Sequence, residues 1–311
     1  MDFELSEAQT LFQRTARDIA DREIAPLAPK VDELAMFPKE TVAKLGELGF
    51  MGIMVPTEYG GAGADAVSYV VALEEICRAC ASTGIIMSVN NSLYCDPVLH
   101  FGTEEQKRRF LAPVASGRAQ GCFALSEPNA GSDAANQQTR GRRDGAAYVL
   151  NGTKNFTTNG LEADFAIVFA QMDPARGYRG IAAFIVERGT PGFSVSKVEK
   201  KLGIRGSSCC QLLLEDVRVP AENRLGAEGD GFRVALSTLD GGRIGVATQA
   251  VGIARAAYEA SLPKGAPRSF RAAARSVSRR AASISVAIST SMNWMAWNRA
   301  MGCPNCTRWP A

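Results

Sequence analysis

The residue types best suited to chemistry lie in one stretch, Gln120 to Asn136, reading QGCFALSEPNAGSDAAN. It joins a short apolar strand to a polar, glycine-containing turn. Backbone donors, two hydroxyls (Ser126, Ser132) and two acids (Glu127, Asp133) fall within a few residues of one another. That is the composition of a ligand-binding loop. A second segment, NGTKNFTTNG from Asn151 to Gly160, adds an aromatic ring and further hydroxyls behind an Asn-Gly pair that predicts a turn. Between them lie the polar run Gln137 to Ala147 and the apolar Tyr148-Val149-Leu150, so two strands would set both segments side by side at one sheet end. The expectation is one binding site made from both. Two ordinary turn-rich loops would share the same composition.

Other chemistries fit poorly. His100 is the sole histidine, which rules out a histidine-rich metal centre and disfavours a Ser-His-Asp site. Cys77 and Cys80 lie three apart on a predicted helix with no second ligand pair at a useful distance, so they read as packed helix cysteines. Cys303 and Cys306 form a CPNC unit without βαβ context or partner ligands. The glycine-rich GIMVPTEYGGAGAD, Gly52 to Asp65, is too irregular in spacing for a dinucleotide or phosphate loop.

The elements that must position the site change along the chain. Residues 1–119 read as helices: Leu5, Phe12, Ala16, Ile19 and Ala20 recur at helical spacing from a start near Ser6, with Pro26 as the expected end. Pro38 to Leu48, Ser68 to Ala81 and Thr83 to Phe101 follow as helices, and Thr103 caps another. Residues 120–230 hold short β-rich runs at Cys122–Leu125, Tyr148–Leu150, Ala163–Gln171, Gly180–Val186, Phe193–Lys197 and Cys210–Val219, a small antiparallel sandwich or barrel. Residues 231–261 are helical again, with Asp240 and Arg243 three apart on one face, where they could simply pair. Residues 262–311 are a Ser, Ala and Arg biased tail with eight basic and no acidic side chains, so the formal charge of +3 leaves about −5 for everything before it. A basic footprint is therefore missing from the main body, and no nucleic-acid partner is expected there. In the tail, Trp294, Trp297 and Trp309 would be the stacking groups for one.

With 311 residues and 46% apolar content, the chain can bury large cores. It starts acidic and amphipathic, has no apolar run of about 18 residues, and its eight cysteines read as mostly free thiols; a cytoplasmic protein without a membrane span is the expectation.

Four motifs carry a family resemblance. Ala124-Leu125-Ser126-Glu127-Pro128-Asn129-Ala130-Gly131-Ser132-Asp133 is the strongest, supported by Asn151-Gly152-Thr153-Lys154, Glu215-Asp216-Val217-Arg218-Val219-Pro220 and Leu239-Asp240-Gly241-Gly242-Arg243. In order and spacing they resemble the acyl-CoA dehydrogenase family to about Ser261; Asn136 departs slightly, where the family signature usually ends in Gly, Ser or Ala. The resemblance implies an α+β fold: an N-terminal helical domain, a middle antiparallel β sandwich or barrel, and here an incomplete C-terminal helical bundle. It implies FAD between the β and C-terminal parts, a short-chain or branched short-chain acyl-CoA substrate, electron-transfer flavoprotein as electron acceptor, and a homotetramer. By motif position Phe123, Leu125 and Ser126 would border the flavin, with Ser132 beside FAD and acyl-CoA. Phe156 and Thr158 would flank the ring, Thr157 would supply backbone contact, and Asp240 and Arg243 would face the CoA chain. Fixed donors suit such a site because negative charge builds on the ring as hydride arrives.

The family's catalytic glutamate, which removes the substrate α-proton on the way to a trans-2-enoyl-CoA, belongs to a distal segment that Leu262 onward does not resemble. No glutamate follows Glu259. The abrupt change in composition resembles a reading-frame change or damaged terminus. A catalytically inactive remnant that binds acyl-CoA or associates with full-length relatives, and retains FAD weakly, is the alternative to a working dehydrogenase.

Overall fold

The computed structural model describes residues 4–262. The CPNC unit, the three tryptophans and all of the predicted tail but Leu262 lie outside the described residues.

Helix α1 (Glu7–Ile19) starts with a capping box: the Ser6 hydroxyl accepts the Gln9 N–H at 3.2 Å and the Gln9 side chain accepts the Ser6 N–H at 3.0 Å. Pro26 does not end this helix. A π turn, Ala20–Ile24, leads directly into α2 (Ala25–Glu33) and puts Pro26 in its first turn, where a missing N–H costs nothing. After α3 (Lys39–Glu47) and two short 3-10 turns, α4 (Ala66–Ala79) and α5 (Ala81–Ser88) are split by an extended Cys80. The helix predicted over Thr83 to Phe101 is thus α5, a π turn over Val89–Cys95, and α6 (Asp96–Phe101). Thr103 caps α7 (Glu104–Gln106) with a second capping box, and a π turn over Lys107–Leu111 continues into α8 (Ala112–Ala115).

Two buried asparagines in the middle π turn tie the helices to the start of the sheet. Asn91 accepts the Ile53 N–H (2.8 Å) and donates to the Phe50 and Met87 carbonyls. Asn90 donates to the Met51 and Val114 carbonyls and accepts the Gly121 N–H at 3.2 Å, pinning the start of the first strand. Gly121 is required there, since a Cβ would meet the Tyr94 ring at 2.1 Å.

The strands are β1 (Gly121–Ala124), β2 (Arg140–Asp144), β3 (Ala147–Thr158), β4 (Phe165–Gln171), β5 (Ile181–Glu187), β6 (Phe193–Val198), β7 (Cys209–Pro220) and β8 (Arg224–Leu225). They form one mostly antiparallel sheet in the order β6-β7-β3-β2-β4-β5-β8, with β1 parallel to β4. Strand periodicity divides β4 and β5 between two cores. Ile167, Phe169, Ile181, Ala183 and Ile185 pack with the helices, while Ala166, Val168, Ala170, Ala182, Phe184 and Val186 pack against Tyr148, Leu150, Leu212 and Val219 of the other strands. Two sequence readings change here. Part of the polar run Gln137 to Ala147 is strand β2, which buries Gly141 and leaves its arginines exposed. The Asn151-Gly152 pair is no turn but an irregularity inside β3, and the hairpin turn falls at Gly145 (φ +61°).

Helix α9 (Gly231–Ser261) runs unbroken through Gly241-Gly242 and is the whole C-terminal bundle among the described residues. Its buried positions, including Val234, Thr238, Gly242, Gly245, Gln249, Gly252 and Arg255, recur every three or four residues. Small residues let it approach closely: a Cβ at Gly252 would sit 2.8 Å from the Glu74 carbonyl oxygen. Arg255, buried, then reaches Glu74 at 2.5 Å and Glu75 at 3.1 Å, while Arg17 and Arg78 meet Glu75 from its other sides. Burial opposes ionisation of Glu75, but hydrogen bonds and charge from Arg17 and Arg255 outweigh it and hold the carboxyl at about 2.

Candidate active site

The end of β1 and the far half of β3 meet. Phe123 packs edge-on against Phe169 (centroids 5.0 Å apart), and Leu125 continues the same apolar surface. The Ser126 carbonyl then accepts the Asn155 N–H at 2.8 Å, so the two segments singled out by composition are joined by backbone. One residue on, Phe156 leaves the β region (φ +55°) and stands 66% exposed. An aromatic residue held at positive φ, with most of its ring uncovered, is a cost that the rest of the strand supports. Thr157 is fully buried and its Oγ1 meets no partner, whereas Thr158 is half-buried. Ser132 is exposed on the loop between β1 and β2.

Beneath this wall lies a network absent from the expected site. Lys154, wholly buried, donates to the Leu125 carbonyl (3.2 Å), Glu127 Oε1 (2.7 Å) and Gln137 Oε1 (3.0 Å). Glu127 also accepts the backbone N–H groups of Gln138 (2.5 Å) and Thr139 (3.1 Å). Burial opposes the charge on Glu127, but Lys154 and these donors outweigh it and hold its carboxyl below the usual range. The signal in the sequence was an acid and a lysine, one in each of the two segments.

Asp240 and Arg243 pair with each other on α9, with both side chains well exposed. The pairing read as the simple alternative is present. Neighbouring Leu239 packs against the core that contains Phe123 and Leu125, which carries this turn of α9 toward the wall. A separate cleft of about 660 Å³, lined by Phe37, Val42, Arg118, Gln120, Glu162 and Arg188 among others, lies at the opposite end of β1 and takes in none of the predicted residues.

Residues 6–118 match the acyl-CoA dehydrogenase N-terminal domain and residues 122–217 the acyl-CoA dehydrogenase middle domain. The short-chain specific acyl-CoA dehydrogenase of Clostridium acetobutylicum is 49% identical over 83% of this chain and 68% of its own length. The short-chain specific acyl-CoA dehydrogenase, mitochondrial, of Homo sapiens is 51% identical over 83% of this chain and 63% of its own length. Among solved structures, a chain in that of the electron transferring flavoprotein of Acidaminococcus fermentans aligns with TM-score 0.82 and 43% identity, over 98% of this chain and 82% of that one. Acyl-CoA dehydrogenase complexed with FAD from Bacillus anthracis aligns with TM-score 0.78 and 38% identity, over 83% of this chain and 44% of that one.

The chain thus spans 63% of the length of the human relative and 68% of the clostridial one. The expected cytoplasmic location is overturned, because the human relative and four other mammalian ones at similar identity are mitochondrial. An acidic start is no guide to compartment, since targeting segments are separate from the fold and removed. Two domain matches in sequence, with nearly half of the aligned residues identical to a relative of which the chain covers more than two thirds, establish that it belongs to the acyl-CoA dehydrogenase family.

Proposed function

We propose that residues 4–262 supply the flavin- and acyl-CoA-facing wall of an acyl-CoA dehydrogenase site, and that this chain by itself binds without turning over. The observation that carries the first half is the exposed Phe156 ring beside the joined Ser126–Asn155 backbone. A flat aromatic face on a strained strand fits a planar isoalloxazine ring, and Phe123 and Leu125 continue the apolar wall. FAD, when bound, supplies the hydride acceptor. The Ser126 and Thr158 hydroxyls are the donors this chain brings to the ring edge, Ser132 lies toward FAD and thioester, and the backbone of Thr157 lines the ring. Asp240 and Arg243 serve the CoA chain. Their surface ion pair is worth little, on the order of 1 kcal/mol or less, so a ligand can exchange it.

The second half rests on Glu127. Its carboxylate lies one residue from Ser126, yet it is buried and committed to Lys154 and two backbone amides. A general base must come within about 3 Å of the proton it takes, and Glu127 is held away from the exposed surface. No glutamate follows Glu259 in the sequence, which supports reading the chain as a binder without a general base. In a complete enzyme of this family, electrons would pass on to electron-transfer flavoprotein. A role through association with full-length relatives is supported by Val246 and Ile253, seven residues apart on α9 and both exposed.

Titrating the purified chain with FAD and following flavin fluorescence tests the binding. Weak, saturable quenching is expected, and Phe156→Ala should weaken it by about tenfold, the scale of one lost aromatic contact. A chain that never quenches FAD would remove the proposal.

A further inference from the structure

We infer that Lys154 and Glu127 are positioning residues: their buried pair fastens the end of β1 to the middle of β3, so that Leu125-Ser126 and Phe156 to Thr158 present one surface to the flavin. The inference rests on the flavin reading above and deepens it.

The need for a fastening comes from β3 itself. Its register against β7 shifts between Lys154 and Thr157, so the neighbouring strand does not hold Asn155 and Phe156 in a regular ladder. Phe156 occupies positive φ within that gap. Something else has to hold the backbone there, and Lys154 does so from the other side.

Its ammonium has three hydrogens, and each has an oxygen: the Leu125 carbonyl, Glu127 and Gln137. Glu127 in turn takes the Gln138 and Thr139 amides, and pairs by backbone with Ala130, which brings the loop from β1 to β2 back onto the same point. The network therefore joins the chain at residues 125, 127, 137–139 and 154. A buried ion pair is a poor source of stability, because apolar side chains of similar volume pack as well or better. What it adds is direction, since each polar atom is aimed at a particular backbone or side-chain group. That is the property a shaped binding wall needs.

The test is the double variant Lys154→Met/Glu127→Gln in the full chain, which removes both charges at nearly constant volume. Circular dichroism should match wild type. Two readouts then decide the inference. Hydrogen exchange of the Asn155, Gln138 and Thr139 amides in the apo protein should quicken at least tenfold. The FAD dissociation constant should rise at least tenfold, and the absorption band of the bound flavin should shift because its surroundings are no longer fixed. Unchanged exchange overturns the fastening. Faster exchange with unchanged FAD affinity and spectrum overturns its role toward the flavin. If wild type binds no FAD, the flavin reading fails, and the role claimed here for the pair fails with it, while the exchange rates still decide the fastening. Should the double variant not fold, Glu127→Gln alone, which keeps one acceptor for Lys154, is judged by the same two readouts with smaller changes expected.

Discussion

Replacing Arg255 by Met should detach α9 from the N-terminal helices. Arg255 is 3% exposed and meets Glu74 at 2.5 Å, Glu75 at 3.1 Å and Glu259 at 3.2 Å. The substitution keeps most of the apolar stem but leaves Glu74 buried without this cation, while Glu75 retains Arg17 and Arg78. Breaking a buried pair by removing one partner costs about 3 to 5 kcal/mol. That is a large share of a domain stability of about 5 to 15 kcal/mol. With a urea m-value of about 3 kcal/mol/M, the midpoint should fall by on the order of 1 M or more. Urea titration followed by far-ultraviolet circular dichroism measures it. Arg243→Ala is the internal control: its ion pair with Asp240 is exposed, and less than about 1 kcal/mol should be lost. A double-mutant cycle with Glu74→Gln should return a coupling of at least about 1 kcal/mol. If Arg255→Met costs no more than the control, the charge cluster does not hold α9, and its glycine face alone does.

The same contacts set three further outcomes. Because Glu75 is held at about 2 in the fold against an ordinary value of 4.5, the unfolded chain binds more protons between these values. Its contribution, of order 3 kcal/mol, is therefore complete above pH about 4.5 and lost as pH falls toward 2; Glu75→Gln should flatten that acid loss in near-ultraviolet circular dichroism. A Cβ at Gly245 would meet Ser88 Oγ at 2.4 Å and the Tyr69 hydroxyl at 2.7 Å, so Gly245→Val should cost about 1 to 3 kcal/mol in urea titration. Phe156→Gly relieves a positive φ, and thermal melting should show stability held or raised while FAD affinity falls; a clear drop in melting temperature would mean that the exposed ring supports the fold instead.

Local signals in the sequence carried much of this fold. Ser6 and Thr103 announced helix starts, and the β-rich runs Ala163–Gln171 and Gly180–Val186 announced β4 and β5. Misreadings arose where tertiary contacts override local preference. Pro26 usually stops a helix, but a preceding π turn re-phases the chain so that it opens the next one. Asn151-Gly152 usually turns a hairpin, yet its glycine is needed because a Cβ would strike Thr139 at 2.4 Å. The two segments of the candidate site were legible from composition, and their junction is a backbone hydrogen bond from Asn155 to Ser126, formed only once the fold brings them together. Lys154 and Glu127 were not legible as a pair, since an acid and a lysine 27 residues apart are ordinary surface residues until the backbone brings them together.

The proposed function gives residues 4–262 the wall of the site and no general base. Mixing the purified chain anaerobically with FAD and butyryl-CoA, while following the visible flavin absorption, tests that claim most directly. The expected result is a bound-flavin spectrum that stays oxidised over the measurement. Bleaching at an ordinary enzymatic rate, about 1 to 10³ s⁻¹, would contradict it and require a base elsewhere in the chain.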